Sequence, residues 1–403
     1  MKILMVNKFL YPRGGSESYM LSLGSYFEKL GHKVWYFGMY DEKNTVSNPL
    51  ELYTQNMDFH SKGLARFLYP FKIIYSFETA KKIGKILDEL KPDVVHMNNI
   101  NFQLTPSLIY AVKKRKIPLV QTVHDYQMIC PNHLFYDFKN NKPCEKCLKG
   151  SSFNCFKNKC IHGSGVKSLI GAIEKIFYSV LKTYKKVDLY VCPSNFLSGK
   201  LLSSNSFYQD KTFTIHNFID KNTFNGDEIP GGTYVAFVGR LSKEKGVDLL
   251  RETALLLPDV QFKVAGGGPD EESLKGIANI ELMGFLKGEK LCDFVKKSKF
   301  LLLPSVCYEN CPLSILEAHS MGVPVVTMNY GGMAELVKDG TTGLLCEDAT
   351  PVSLKGKIET LMNNSELYNS IKENCEKEKN NIQSIESYCD ILLSKYNEII
   401  NRG

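Results

Sequence analysis

Apolar residues come in short unbroken runs, separated by longer stretches in which they recur every three or four positions. In the first half the runs are Ile3-Leu4-Met5-Val6, Val34 to Phe37, Pro92 to His96, Pro118 to Val123, Val187 to Pro193 and Lys211 to Ile215. In the second half they are Val235 to Val238, Phe262 to Ala265, 299–305 and Val323 to Thr327. Runs this short, without polar alternation, predict strands covered on both faces. The stretches between them carry helical spacing: one ends near Leu30, one holds Leu249, Leu250, Ala254 and Leu255, and one spans 313–321. Alternating strands and helices predict an α/β chain built on parallel sheets. From Pro351 the tail is helical and highly charged, and Ile385 to Ile400 carries an apolar stripe of Tyr388, Ile391, Leu392, Tyr396 and Ile399.

The chain has 403 residues, more than one hydrophobic core usually supports, so two domains are expected. Hydrophobic residues make up 43%, enough to fill both cores. No run of 18 apolar residues occurs, and Ile3 to Val6 is too short for a secretory leader. The expected location is therefore cytoplasmic, with the 12 cysteines mostly reduced.

The candidate chemistry gathers where strands end. Val235 to Val238 runs into Gly239-Arg240-Leu241-Ser242-Lys243-Glu244-Lys245-Gly246 and then a helix. Free helix N–H groups beside Arg240 and Lys245 make an anion site. Phe262 to Ala265 runs into Gly266-Gly267-Gly268-Pro269, a turn where backbone must come close to something. Glu309 and Glu317 stand eight apart across a strand-to-helix junction that holds Cys311, Pro312 and Leu313, so both carboxylates can face one ligand. Gly331-Gly332 follows the next strand. In the first half, Gly14-Gly15 precedes a helix, and Thr122-Val123-His124-Asp125 closes a strand. Polar groups at the carboxyl ends of successive strands match a doubly wound sheet that binds a nucleotide there.

The order G-R-L-S-K-E-K-G, G-G-G-P, E-x7-E and G-G-M-A-E-L-V-x-D-G-T-T-G, over about residues 235–346, resembles the donor half of the retaining glycosyltransferases of family four. The resemblance implies a GT-B fold: two Rossmann-like domains, 1–220 and 221–384, facing across a cleft, with a last helix at 385–403 packing back on the first. It implies that Arg240 and Lys245 bind the donor diphosphate, Glu317 the ribose hydroxyls and Glu309 the transferred sugar. Gly267 and Gly268 would border the base, Gly14 and Gly15 would lie beside the donor phosphate, and His124 would hydrogen-bond the sugar, with Asp125 holding His124 or the acceptor. Cys311-Pro312-Leu313 belongs to the same donor loop. Cys311 stands where many relatives carry an aromatic residue, so the donor sugar is left open; Phe218 stands where they carry glycine, at the exit into the interdomain linker.

The implied reaction moves a sugar from a nucleotide diphosphate to a saccharide or lipid-linked acceptor with retention at the anomeric carbon. It belongs with cell-surface polysaccharide synthesis. UDP is favoured by family frequency, and no catalytic metal is required. A sugar-nucleotide epimerase lacks this motif order, and a phosphorylase needs a pyridoxal lysine in a far longer chain. A non-catalytic sugar-nucleotide-binding subunit would have lost Glu309 or His124, and both are present.

Charge and cysteines add two further expectations. Residues 1–220 hold 30 Lys+Arg against 17 Asp+Glu, whereas residues 221–403 hold 20 against 26. The basic residues fall on two amphipathic segments, 62–85 (Lys62, Arg66, Lys72, Lys81, Lys82, Lys85) and 167–186 (Lys167, Lys175, Lys182, Lys185, Lys186). That pattern suits peripheral contact with an anionic membrane on its inner face better than nucleic acid, although a merely solvated face would look the same. Between strands, 130–162 holds Cys130, Cys144, Cys147, Cys155 and Cys160 with little apolar content. The C-x2-C spacing suits a structural zinc, with Cys144, Cys147, Cys155 and Cys160 as ligands and Cys130 as an alternative, or else a set of reduced thiols in a loop.

Overall fold

The computed structural model describes residues 1–55, 72–220 and 232–402, which form two compact units. Lys62 and Arg66 of the first basic segment lie outside the described residues. Unit one comprises 1–134, 145–216 and 385–403, and unit two comprises 135–144 and 217–384. The strands in chain order are β1 (Lys2–Val6), β2 (Lys33–Phe37), β3 (Val94–Met97), β4 (Leu119–Thr122), β5 (Tyr136–Asp137), β6 (Lys142–Pro143), β7 (Leu189–Cys192) and β8 (Thr212–Thr214). Then come β9 (Tyr234–Val238), β10 (Phe262–Ala265), β11 (Ile280–Gly284), β12 (Ser298–Leu303), β13 (Val325–Met328) and β14 (Gly343–Cys346).

Unit one is a six-stranded parallel sheet in the order β2-β1-β3-β4-β7-β8. Every residue of β3, β4 and β7 is buried, as expected of strands with helices on both faces. Helix Phe77–Leu90 shows how the sequence sets these helices. Ser76 caps it by accepting from Thr79 N at 3.1 Å, Ile83, Ile86 and Leu87 face inward, and Lys91 ends it in the left-handed conformation.

The C-terminal helix, Ile385–Ile400, packs on helix Gly15–Lys29 within this unit, and a buried polar network fixes it there. Tyr388 OH shares a hydrogen bond of 2.7 Å with Tyr19 OH, which bonds Thr122 Oγ1 at 3.1 Å. Thr122 Oγ1 also meets His96 Nε2 at 2.7 Å, and His96 Nδ1 meets Tyr396 OH. Burial, and then the neighbouring His124, pushes the His96 pKa down to about 3, so its imidazole is neutral in this network. A satisfied buried network of this kind selects one docking register, because sliding the helix would strand several polar groups.

Unit two repeats the plan, with sheet order β11-β10-β9-β12-β13-β14, all parallel. The hairpin β5-β6, from the cysteine-bearing insertion, belongs to this unit, where Phe135 meets Tyr308 edge-on at 6.4 Å. No described helix is long and apolar enough to cross a membrane.

Candidate active site

In unit two the candidate residues collect on loops at the carboxyl ends of β9, β10, β12 and β13. The β9 loop is shaped by Gly246, whose φ of +76° suits glycine and whose missing Cβ would lie 1.9 Å from Pro304 O. Beyond it, helix Val247–Leu255 starts with no side-chain cap, leaving first-turn N–H groups for a ligand. Lys245 Nζ donates to Glu309 Oε1 at 2.5 Å, and Ser305 Oγ donates to the same oxygen at 2.8 Å. Burial is the largest single influence on the Lys245 pKa and lowers it, but Glu309, Cys307 and Glu244 together outweigh it and the ammonium is held above its ordinary value. Arg240 is exposed and has no ion pair among the described residues.

The Glu309 loop is clamped by Gly331-Gly332. Gly332 N donates to Glu309 O at 2.6 Å, and a Cβ on Gly332 would fall 1.5 Å from Asn310 O. Only glycine permits that approach. Tyr330 OH donates to Ser305 O at 3.0 Å, bracing the other end of the loop. Helix Leu313–Ser320 begins at Pro312 without a side-chain cap. Glu317, on its second turn, is half-buried and has no ion pair or side-chain hydrogen bond among the described residues. Burial raises its pKa to about 7, the signature of a carboxyl short of donors.

Gly267 and Gly268 are exposed at the end of β10, with Gly268 against the β9 loop: its Cβ would lie 2.2 Å from Leu241 O. Gly266, at φ +141°, would clash with Gly239 O at 1.8 Å. Cys311 is turned inward. Its buried sulfur accepts from Asn217 N at 3.4 Å, and Asn217 Nδ2 donates to Cys311 O at 3.0 Å. It packs with Ile219, Leu316, Leu313, Leu336 and Ile382, and burial pushes the thiol up to about 12. The side chains of Cys311 and, in part, Leu313 thus pack the start of unit two.

In unit one, Gly14 caps helix Gly15–Lys29 in extended conformation. The loop before it is held by residues the sequence reading passed over. Asn7 Nδ2 donates to Glu17 Oε1 at 3.1 Å, Asn99 N donates to Asn7 Oδ1 at 2.8 Å, and Asn99 Nδ2 donates to Ser16 Oγ at 2.8 Å. Lys8 is half-buried there with its pKa lowered, chiefly by burial, against the opposing pull of Asp125 and Glu17. His124 follows β4. Its Nε2 meets Asn98 Oδ1 at 2.9 Å, its ring stands edge-on to Tyr19 at 5.0 Å, and burial lowers its pKa to about 4. His124 is therefore a neutral hydrogen-bonding group near pH 7, with Nε2 as donor.

Asp125 acts on His124 through charge, opposing the pKa drop that burial causes. It accepts from Asn101 Nδ2 at 2.7 Å and from Gln127 N at 2.9 Å, and Asn101 Nδ2 also meets His133 Nδ1 at 2.9 Å. Phe102 stacks on His133 at 4.7 Å. Asn98 Nδ2, Asn101 Oδ1, Gln103 Oε1 and both polar ends of Gln127 are buried without a partner in the same unit. Residues left in that state are poised to meet a polar ligand. None of these amides carried a sequence signal, because Asn and Gln in loops are common.

Among the cysteines, Cys147, Cys155 and Cys160 form a small buried cluster in unit one, whereas Cys144 is half-buried and belongs to unit two. Among the described residues, no group of three or more His, Cys, Asp or Glu side chains is set in a geometry that would grip a metal ion.

Comparison with known proteins agrees with this geometry. Residues 13–223, more than half the chain, match the family described as Glycosyltransferase Family 4, and residues 219–378 match Glycosyl transferases group 1. A 42.6 kDa protein of the cps region of Klebsiella pneumoniae is 27% identical over 353 residues, 83% of this chain and 87% of that one. Sucrose-phosphate synthase from Thermosynechococcus elongatus superposes with a TM-score of 0.71 at 14% identity, over the whole of both chains. Anabaena HepE in complex with UDP and glucose superposes with a TM-score of 0.68 at 17% identity, over 99% of this chain and 100% of that one. The chain belongs to glycosyltransferase family 4, and it is a glycosyltransferase of the GT-B type.

Proposed function

We propose that this chain is a retaining transferase that moves a hexose or related sugar from a nucleotide diphosphate, with UDP favoured, onto a saccharide or lipid-linked saccharide of a cell-surface polysaccharide. The observation that carries the reading is the arrangement around Glu309: a carboxylate held against Lys245, with Arg240 unpaired and Glu317 short of donors in the same unit. Two cations and free helix N–H groups suit a diphosphate, and a donor-starved carboxyl suits ribose hydroxyls. In this mechanism the diphosphate draws Lys245 away from Glu309 as it binds. The freed carboxylate faces the sugar, and the leaving phosphate takes the acceptor's proton as the new bond forms on the same face. Neutral His124 hydrogen-bonds a sugar hydroxyl. Neither His124 nor Glu309 needs to act as a base in this step.

The acceptor is assigned to unit one, where the unpartnered amides of Asn98, Asn101, Gln103 and Gln127 offer the mixed donors and acceptors that sugar hydroxyls need. A lipid-linked acceptor is favoured by helix Gly165–Val180. It buries Ser168, Gly171 and Glu174 but exposes Val166 (71%), Ile173 (42%) and Val180 (72%) at seven-residue spacing. Exposed Lys81 and Lys85 lie on helix Phe77–Leu90, whose first residue, Phe77, is 80% exposed. Apolar side chains among lysines suit the inner, anionic surface of a membrane.

The test is a thermal-shift screen of UDP-, GDP- and ADP-sugars, followed by NMR assignment of the anomeric configuration of any product. A donor at a hundred times its dissociation constant should add about 2.7 kcal/mol of stability. Inverted product would refute retention, and the absence of a shift with every sugar nucleotide would refute the donor site.

A further inference from the structure

Lys8 and Arg13, in the loop between β1 and helix Gly15–Lys29, lie at the carboxyl edge of the unit-one sheet. The backbone of Lys8 is held from both sides. Its N–H donates to Asn99 O at 2.8 Å, beyond β3, and its carbonyl accepts from Met39 N at 3.0 Å, beyond β2. The ammonium stands over the Phe9 ring, 5.8 Å from its centroid, and the Arg13 guanidinium stands over the same ring at 4.1 Å. Tyr11 braces Phe9 edge-on at 5.8 Å. One half-buried aromatic ring therefore holds two like charges close together. Neither cation has an ion pair or a side-chain hydrogen bond among the described residues. Of the carboxylates that act on Lys8 through charge, Asp125 accepts from Asn101 Nδ2 at 2.7 Å and Glu17 from Asn7 Nδ2 at 3.1 Å. Burial lowers the Lys8 pKa more than these two raise it, a cost that a bound anion would offset. A stacked guanidinium keeps the N–H donors of its edge free, and that edge grips a carboxylate or phosphate through two parallel hydrogen bonds. The same corner also holds groups suited to sugar hydroxyls. Asn98 N donates to Val6 O at 2.8 Å, directly beside the chain that leads to Lys8, and Asn98 Nδ2 is buried without a partner.

We propose that Lys8 and Arg13 form an anion subsite for the acceptor, which is then an acidic saccharide bearing a carboxylate or a phosphate on or next to the sugar that is glycosylated. This assignment rests on the placement of the acceptor in unit one under the proposed function. A carboxylate would belong to a uronic-acid residue of the saccharide, and a phosphate to the linkage between a saccharide and its lipid. Both offer paired oxygens that a guanidinium edge and an ammonium can share. A neutral saccharide would leave the two cations side by side in a half-buried loop with no counter-charge, whereas an acidic one neutralises them and brings its hydroxyls to the Asn98 amide. The excess of 30 Lys+Arg over 17 Asp+Glu in residues 1–220 favours the approach of such an acceptor.

The experiment uses the full chain saturated with UDP and titrated with methyl glucoside, methyl glucuronide and glucose 6-phosphate, with binding read by saturation-transfer NMR and calorimetry. At least one anionic probe should bind about tenfold more tightly than the neutral one, and which of the two does so identifies carboxylate or phosphate as the partner. Lys8→Met and Arg13→Met should each remove most of that preference, and Lys8→Arg should keep most of it. Lys33→Met, which removes an exposed lysine at the opposite, amino end of the sheet, should leave it unchanged. The UDP dissociation constant should stay within about twofold in every variant, which also reports that the fold persists. Equal binding of the three probes by the wild-type protein, or binding of none, would overturn the proposal. So would a preference that survives in both Met variants, or a loss of UDP affinity in Lys8→Arg and Arg13→Met, which would assign the cations to the donor. Each of these failures leaves the transferase reading standing, because that reading is judged by the sugar-nucleotide shift and the configuration of the product.

Discussion

If, as proposed, Lys245 is shared between Glu309 and the donor diphosphate, removing Glu309 should tighten nucleotide binding while abolishing transfer. Lys245 Nζ lies 2.5 Å from Glu309 Oε1, with side-chain exposures of 28% and 12%. At an effective dielectric constant near 20 the gross attraction is about 6 to 7 kcal/mol, most of it offset by the cost of desolvating both ions. The net value of a hydrogen bond to a charged group is about 1.5 to 3 kcal/mol, and an incoming diphosphate must overcome part of it. Glu309→Gln removes that competition, so the UDP dissociation constant should fall about tenfold, the equivalent of about 1.4 kcal/mol. Lys245→Met removes the cation and leaves Glu309 facing the phosphates, so binding should weaken by about 2 to 4 kcal/mol. The double variant should recover part of that loss, because the repelling carboxylate is gone too. Isothermal titration with UDP measures all four proteins, and turnover of the matched donor separates binding from chemistry. If Glu309→Gln weakened UDP binding, or Lys245→Met left it unchanged, the pair would be a structural brace and the shared-lysine mechanism would be wrong.

Two further outcomes follow from the same loops. In the proposed donor site Glu317 accepts ribose hydroxyls best when ionised, and burial raises its pKa to about 7 from 4.5; ionisation therefore increases as pH rises through that value, and affinity for a UDP-sugar should rise about tenfold from pH 6 to pH 8. The sugar diphosphate has no ionisation of its own in that range, and Glu317→Gln should flatten the profile; a slope that survives in Glu317→Gln would assign it elsewhere. The folded protein's own stability should move the opposite way, falling between pH 4.5 and 7 as the buried acid is forced to ionise. Gly332→Ala should lower stability by about 1 to 3 kcal/mol in thermal melts and depress turnover, because its Cβ would meet Asn310 O. Gly356→Ala, in helix Pro351–Asn363 with open space around it, should instead stabilise by about 0.5 to 1 kcal/mol; equal effects from the two would refute the clamp.

Most strands buried on both faces were legible, because an unbroken apolar run has few other uses, but Gly343–Cys346, wholly buried yet only Leu-Leu-Cys after a glycine, was missed. Phe262–Ala265 has the same limits in sequence and structure, and Ile385–Ile400 likewise, its stripe of Tyr388, Leu392 and Tyr396 being the buried face. The missed strands have weaker patterns. Ile280–Gly284 is an edge strand with no fully buried residue, and Tyr136–Asp137 with Lys142–Pro143 is a hairpin of two residues a side. Such elements are held by neighbours rather than by their own hydrophobicity, so periodicity does not report them.

The site divides along the same line. Glycines and charged residues at strand ends announced themselves because their chemistry is costly elsewhere: Gly246 and Gly332 sit where a Cβ would clash, and Glu309 and Lys245 need each other. What escaped were groups whose meaning is entirely tertiary. The partners in the network of Tyr19, Tyr388, Thr122, His96 and Tyr396 lie up to 369 positions apart, and no local pattern joins them. Cys311 shows the same dependence on tertiary context. Its position in the donor loop argued for a ligand contact, but its side chain turns to Asn217 and Ile219. A sequence position fixes where the backbone goes; which way a small apolar side chain points is decided by the space around it, and Cys311 fills a gap that a larger residue could not enter without moving the segment Asn217 to Ile219.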